Sequence, residues 1–348
     1  MARPLFRRKL DLSKGKIELV HGSGGKASAQ LFEEVFLPSF RNPALERGDD
    51  SADLSLGGRI VVATDGHVVS PLFFPGGDIG YLSVHGTIND VACGGAIPHA
   101  ITVGFIIEEG FPLADLNRIA ASMGAAAREA NVAIVAGDTK VVERGNCDGV
   151  FITTTGIGTV PDSIENPPRA DRPEPGDKIL ISGPIGEHGV TILAAREDLP
   201  LATPSKSDTA PLHRMAQSIL HAAPGTKTLR DPTRGGLATA INEICRSSGT
   251  GAQLVESAIP IKPPVASACE VLGVDPLYLA NEGKLIAIVP ANEADAALDA
   301  MRAGPHGEGA TEIGEIIRDP HGFVQIETAL GGKRMVDWLV GDPLPRIC

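Results

Sequence analysis

Aromatic residues are scarce in this chain: they make up 4% of its 348 residues, with a single tryptophan. Valine, isoleucine, leucine and alanine must therefore build the core. A basic stripe is also missing. The formal net charge is −12, and no segment collects the Lys and Arg that a phosphate backbone attracts, which excludes nucleic acid as a partner class. No apolar run approaches the roughly 18 residues of a membrane span, so no membrane partner is expected. Arg3, Arg7, Arg8 and Lys9 lead into no apolar segment and make neither a secretory signal nor a transit peptide. A cytoplasmic location is expected. Cysteine is thin as well. The five stand at 93, 147, 245, 269 and 348, an odd count with no C-x-x-C pair, which argues against a disulfide framework or a zinc site. Cys93, Cys245 and Cys269 sit in apolar, helix-like contexts and read as inert thiols, and Cys147 in "RGNCDG" receives no role. Cys348 differs from all of these, because it is the last residue, in "GDPLPRIC".

Glycine is what the chain has in abundance, 41 residues in all, often paired between apolar segments. With a hydrophobic content of 43%, this favours a loop-rich α/β chain. The length suggests two domains. Residues 1–20 read as an extension with an edge strand. "HGSGG" opens a helix with apolar Leu31, Phe32, Val35 and Phe36. "RIVVATDGH" reads as a strand that stops at Asp65, and "FPGGDIG" leads into a helix ending near "NDVACGG". "HAITVGFIIEE", "VAIVAGDTKVV" and "GVFITTTGIGTV" read as strands. Residues 113–130 carry apolar groups at Leu116, Ile119, Ala120, Met123, Ala127 and Ala130, a helical spacing. The first domain then spans 21–163. "ENPPRADRPEPGD" marks a linker over 164–176. A second α/β unit covers 177–330, and 331–348 reads as a flexible tail, with Val336, Trp338 and Leu339 as anchors.

The acids carry the strongest chemical signal. Asp49 and Asp50 follow a glycine, Asp65 ends an apolar strand, Asp90 ends a helix and Asp138 lies in a strand. A carboxylate at the end of a buried strand is costly unless paired or metal-bound. Several that converge call for a hard divalent cation, with magnesium and a nucleoside triphosphate as the usual solution. By spacing alone they could equally be separate caps and surface acids. "HGSGGK", with Gly24 and Gly25, lacks the phosphate-loop spacing and by itself fits a helix-entry turn. "RDPTRGGL" sets Asp231 and Arg234 beside Gly235 and Gly236 at a helix start, which fits either a phosphate site or an ordinary cap. "NEGK" places Glu282 just before an apolar strand, as a general base or a turn residue.

Together these stretches resemble a known family. "HGSGG", "GDDSA", "TDGHVVSPLFFPGGDIGYLSVHGTINDVACGGAIP", "VAGDTKVV", "FITTTGIG", "LISGPIGEHG", "LRDPTRGGLATAINEI", "NEGKL" and the terminal "PRIC" are similar to the HypE family of hydrogenase maturation factors, within the PurM-like superfamily of aminoimidazole ribonucleotide (AIR) synthetases. The resemblance runs from about His21 to Cys348. It implies a two-domain α/β (α+β) PurM-like fold, with the first sheet forming a barrel-like interface in a homodimer and the second domain packed beside it. It also implies Mg2+ and ATP as cofactors and an S-carboxamide on Cys348. A carbamoyltransferase, HypF, supplies that group. ATP-driven dehydration turns it into a thiocyanate, and the cyanide passes to iron on a HypC–HypD complex. On this reading Lys140 and Glu282 lie near the reacting amide, with Lys140 stabilising the transferring phosphoryl group and Glu282 as base. Asp49, Asp50, Asp65, Asp90 and Asp138 hold the metal, and these five with Gly24, Gly25, Asp231, Arg234, Gly235 and Gly236 hold the nucleotide. The alternatives are a sister enzyme of the selenophosphate synthetase, thiamine-phosphate kinase or AIR synthetase type, or a non-catalytic scaffold that docks partners by its tail.

Overall fold

The computed structural model describes residues 9–23, 25–47, 51–196, 205–339 and 346–348. In the first domain a four-stranded sheet contains β1 (Arg59–His67), β2 (Ile97–Glu108), β3 (Ala133–Val142) and β4 (Val150–Val160). Their spatial order is β1-β4-β2-β3. Its inner face packs on two helices, α1 (Ile79–Cys93) and α2 (Leu113–Glu129), around Ile101, Val103, Phe105, Ile107 and Ile152. Asp78 starts α1 by accepting from the backbone amides of Gly80 and Tyr81, which satisfies two donors the helix would otherwise leave open. α1 is buried along nearly its whole length, because the sheet covers one side and the second domain the other. Asn89 seals that second contact. Its side chain donates to the Ala210 carbonyl and accepts from the Leu212 amide.

The described residues before His21 are tied to the first domain. Ile17 is buried, and its amide and carbonyl bond the backbone of Phe111 and Gly110. β1 continues past Asp65 to His67, because Asp65 and His67 both keep partners on β4.

The second sheet runs β11-β10-β7-β9-β5-β8-β6, where β5 is Lys178–Ile181, β6 Thr228–Arg230, β7 Gly251–Val255, β8 Ile286–Val289, β9 Thr311–Ile317, β10 Val324–Glu327 and β11 Lys333–Met335. Its helices are α3 (Glu187–Arg196), α4 (His213–Ala222), α5 (Gly236–Ser248), α6 (Pro263–Leu272) and α7 (Ala294–Ala303). The central strands β5 and β8 are isoleucine-, leucine- and valine-rich and almost wholly buried, as expected where helices cover both faces.

β11 corrects the sequence reading of a tail starting at 331. Lys333–Met335 pairs with Val324–Glu327, and Val336 is buried with its carbonyl bonded by Asn242. The expected anchor at Val336 is therefore part of the second domain's edge. Residues 340–345 lie outside the described residues.

Candidate functional site

Between the domains lies a pocket of about 220 Å³, lined by Asp65, Gly66, His67, Gly86, Asp90, Arg230, Asp231, Thr233, Arg234, Glu282 and Cys348. Each wall has a local cause. Asp65 sits on the inner face of β1, where Thr87 of α1 donates to its carboxylate at 2.8 Å. Asp90 comes from the last turn of the same helix. Asp231 and Arg234 follow β6, and Glu282 precedes β8. Gly86 leaves room on α1 for His67 and Glu282, because a Cβ there would stand 3.3 Å from the His67 ring.

Acids dominate the electrostatics, with Arg230 and Arg234 opposing them. Burial, then the neighbouring acids Asp231, Asp208, Asp65 and Asp90, push the Glu282 carboxyl well above the usual range. Burial, then the charges of Asp231 and Asp65, raise Asp90, and burial, with Asp65 adding to it, raises Asp231 against the opposing pull of Arg230. Burial and then Glu282 raise the Cys348 thiol, so in this seat the sulfur is held as the thiol. Burial lowers His67 to about 4, although Asp65 opposes the shift. Glu282 Oε1 is buried with no hydrogen-bond partner, and leaving such an atom unpaired is costly. A pocket of this kind is suited to a cation or a strong donor.

The terminus enters the pocket alongside residues 68–70 of the first domain, with Arg346 at φ +56°. The Val68 amide donates to the Cys348 carbonyl at 3.0 Å, and the Ser70 amide to the Arg346 carbonyl at 3.1 Å. Arg196 also donates to the Arg346 carbonyl, while the Arg346 side chain donates to the Val68 carbonyl and pairs with Asp148. Ile347 is buried in the first domain's core.

Asp138 and Lys140 are elsewhere, which corrects the expectation that Lys140 stands beside Glu282 and that the acids converge in one chain. Across the sheet Asp65 is opposite Thr154, Thr154 opposite Val103, and Val103 opposite Gly137. Three strand spacings put β3 about 14 Å from β1. The parity differs as well. A one-residue bulge at Val135 sets Asp138 opposite Gly104 and Lys140 opposite Ile106, at positions of the outer face. Their side chains are 69% and 64% exposed and form a 2.9 Å ion pair, and the bond from Lys140 lowers the Asp138 carboxyl. They line a different cavity of about 250 Å³ with Phe36, Phe105 and other residues of the first domain.

The remaining predicted residues divide further. Gly24, Asp49 and Asp50 lie outside the described residues. Gly25 has φ +79° and caps the helix that follows. Gly235 and Gly236 do not line the Cys348 pocket. Gly236 has φ +62°, and a Cβ there would meet the Leu277 carbonyl at 2.5 Å, so helix packing alone requires glycine there.

Comparison with known proteins agrees with this architecture. The AIR synthase related protein N-terminal domain family matches residues 48–160, and the corresponding C-terminal domain family residues 174–327. The chain is 59% identical to carbamoyl dehydratase HypE of Azotobacter vinelandii, over 98% of this chain and 99% of that protein. The chain belongs to the HypE family. A crystal structure of hydrogenase maturation protein HypE in complex with ATP superposes with a TM-score of 0.92 at 50% identity, covering 95% of this chain and 99% of that one. HypE in a HypE–HypF complex gives 0.79 at 46% identity, covering 89% and 99%.

For a HypE-family chain that the resemblance credits with magnesium, the donor set can be tested. Among the described residues, no group of three or more His, Cys, Asp or Glu side chains is placed to hold a metal ion alone. Magnesium, however, is commonly held by one or two carboxylates, with substrate phosphates and water completing the shell. Asp65, Asp90 and Asp231, which line one pocket, fit that partial role. Sequence reasoning gave no role to His67, Thr87, Arg230, His188 or Arg196, although His67 and His188 stand inside the motifs "TDGH" and "GEHG".

Proposed function

We propose that this protein is an ATP-dependent carbamoyl dehydratase that converts an S-carboxamide on Cys348 to a thiocyanate, in maturation of [NiFe] hydrogenase. The observation that carries this reading is the seat of Cys348, which lines one pocket with Glu282, Asp65, Asp90 and Asp231. Amide oxygen leaves poorly as hydroxide but well as phosphate. Phosphorylation of that oxygen by ATP breaks the phosphoric anhydride bond. Loss of both N–H protons and the C–O bond then gives S–C≡N, ADP and phosphate. Glu282 is the group placed to take a proton from the amide nitrogen. Burial and the surrounding acids favour its neutral form, and the positive charge of a bound cation would favour the carboxylate that accepts. Bound magnesium would neutralise the phosphates, held by Asp65, Asp90 and Asp231, with Asp49 and Asp50 as further candidates.

The proposal extends to partners. The exposed Ile60 and Val62 of β1 and Ile106 of β2 give the sheet an uncovered apolar outer face, suited to a second copy of the chain in a barrel-like homodimer. Asp138 and Lys140 lie at outer-face positions, so Lys140 would act on a nucleotide held between copies and not on the amide within one copy. The carbamoyl donor is HypF and the cyanide acceptor the HypC–HypD complex. The terminus leaves the pocket for both. Intact-mass analysis after carbamoylation tests the chemistry. Addition of ATP should remove the mass of one water from the carbamoylated protein, and a mass that stays unchanged sinks the reading.

A further inference from the structure

The three terminal carbonyls alternate. Those of Arg346 and Cys348 turn toward residues 68–70 of the first domain. The Ile347 carbonyl turns the other way and meets His188 Nε2 at 2.7 Å. His188 lies at the start of α3 in the second domain and is wholly buried. Its Nδ1 is 2.8 Å from Ser207 Oγ, which is 2.7 Å from Thr209 Oγ1. Phe74 packs edge-on against the ring. A carbonyl only accepts, so Nε2 must carry the proton, and Ser207 then donates to Nδ1. Burial lowers the imidazole's proton affinity, in keeping with this neutral tautomer.

We infer that His188 is the positioning residue that seats the reactive terminus, with Ser207 fixing the tautomer that donates to the Ile347 backbone. The bond is to main chain, so it registers the segment regardless of the side chain at 347. With the Arg196 bond to the Arg346 carbonyl, it ties the second domain to a segment whose other backbone bonds are to the first, so seating of Cys348 depends on both domains at once. The catalytic consequence rests on the reading of Cys348 as the carbamoyl carrier, but the seating does not.

Site-resolved alkylation of the full-length protein by iodoacetamide measures the seating. His188→Ala should raise labelling of Cys348 about fivefold, the worth of one ordinary hydrogen bond, while Cys245, wholly buried in the second domain, stays unlabelled. His188→Gln, whose amide can donate from a similar place, should restore slow labelling. Ser207→Ala should give a smaller increase. Unchanged labelling in His188→Ala overturns the inference. So does labelling of Cys245 in step with Cys348, or His188→Gln labelling as fast as His188→Ala. A parallel single-turnover assay on carbamoylated protein should show the same ranking of thiocyanate formation. If the wild-type protein forms none while the alkylation ranking holds, the dehydratase reading fails and the positioning role stands.

Discussion

The inner and outer faces of the first sheet carry similar residues in opposite circumstances. On the inner side Asp65 joins Asp90, Asp231 and Glu282 around a cysteine, and burial raises the carboxyls of the last three. On the outer side Asp138 meets Lys140 in solvent, and its carboxyl is lowered by that partner. An exposed pair of this sort is worth at most about 1 kcal/mol. The inner group holds unfavourable free energy that a cation and phosphate can relieve. Burial and counter-charge, more than residue type, separate a surface ion pair from a site prepared for a charged ligand.

The comparison can be broken most severely at the sulfur. Cys348→Ala should abolish carbamoyl loading and cyanide release, read by intact mass. Glu282→Gln should slow thiocyanate formation by about 10²-fold or more while carbamoylation of Cys348 persists, and a wild-type rate would remove its role as base. On the outer face, Val62→Asp should convert the proposed dimer to monomer in sedimentation and depress ATP turnover with it. Lys140→Ala or Asp138→Asn should lower ATP turnover strongly if the proposed dimer forms the nucleotide site, yet shift unfolding free energy by less than about 0.5 kcal/mol. Normal turnover of MgATP in either variant would leave the outer pair as surface decoration.

The smallest effect sharpens the contrast in stability. Asp90 has a folded-state pKa raised above its unfolded value. The native state therefore binds more protons, and stability falls as pH rises from about 4 toward the raised value near 8. Asp90→Asn escapes that loss. At pH 8, without nucleotide, its melting temperature should exceed the wild type's, by about 2–4 °C for each kcal/mol relieved in a chain of this size, while ATP turnover is lost. At pH 4 the two should melt together. Asp138→Asn should show no such gain at pH 8.

Much of the fold was legible because its elements are long enough to show a period. α2 repeats its apolar positions at Leu116, Ile119, Ala120, Met123 and Ala127, all buried as the spacing predicts. β11 was missed because three residues, Lys333, Arg334 and Met335, contain no readable alternation. The neighbouring strand Val324–Glu327 makes them a strand. The two faces were not legible either. Asp65 and Asp138 both end runs of β-branched and small residues, and nothing local tells which way each points.

The sequence by itself determined the family, the two-domain α/β architecture and the set of residue types at hand, because periodicity and motif are local properties of the chain. Tertiary structure alone decided which of those residues meet. A single bulged residue at Val135 shifts the pairing of β2 and β3, and a shift of one residue moves every later side chain to the opposite face. That register separates Asp138 and Lys140 from Asp65. The packing of α3 against the terminus likewise brings His188 to a backbone carbonyl 159 residues away, a distance in sequence that no local pattern encodes.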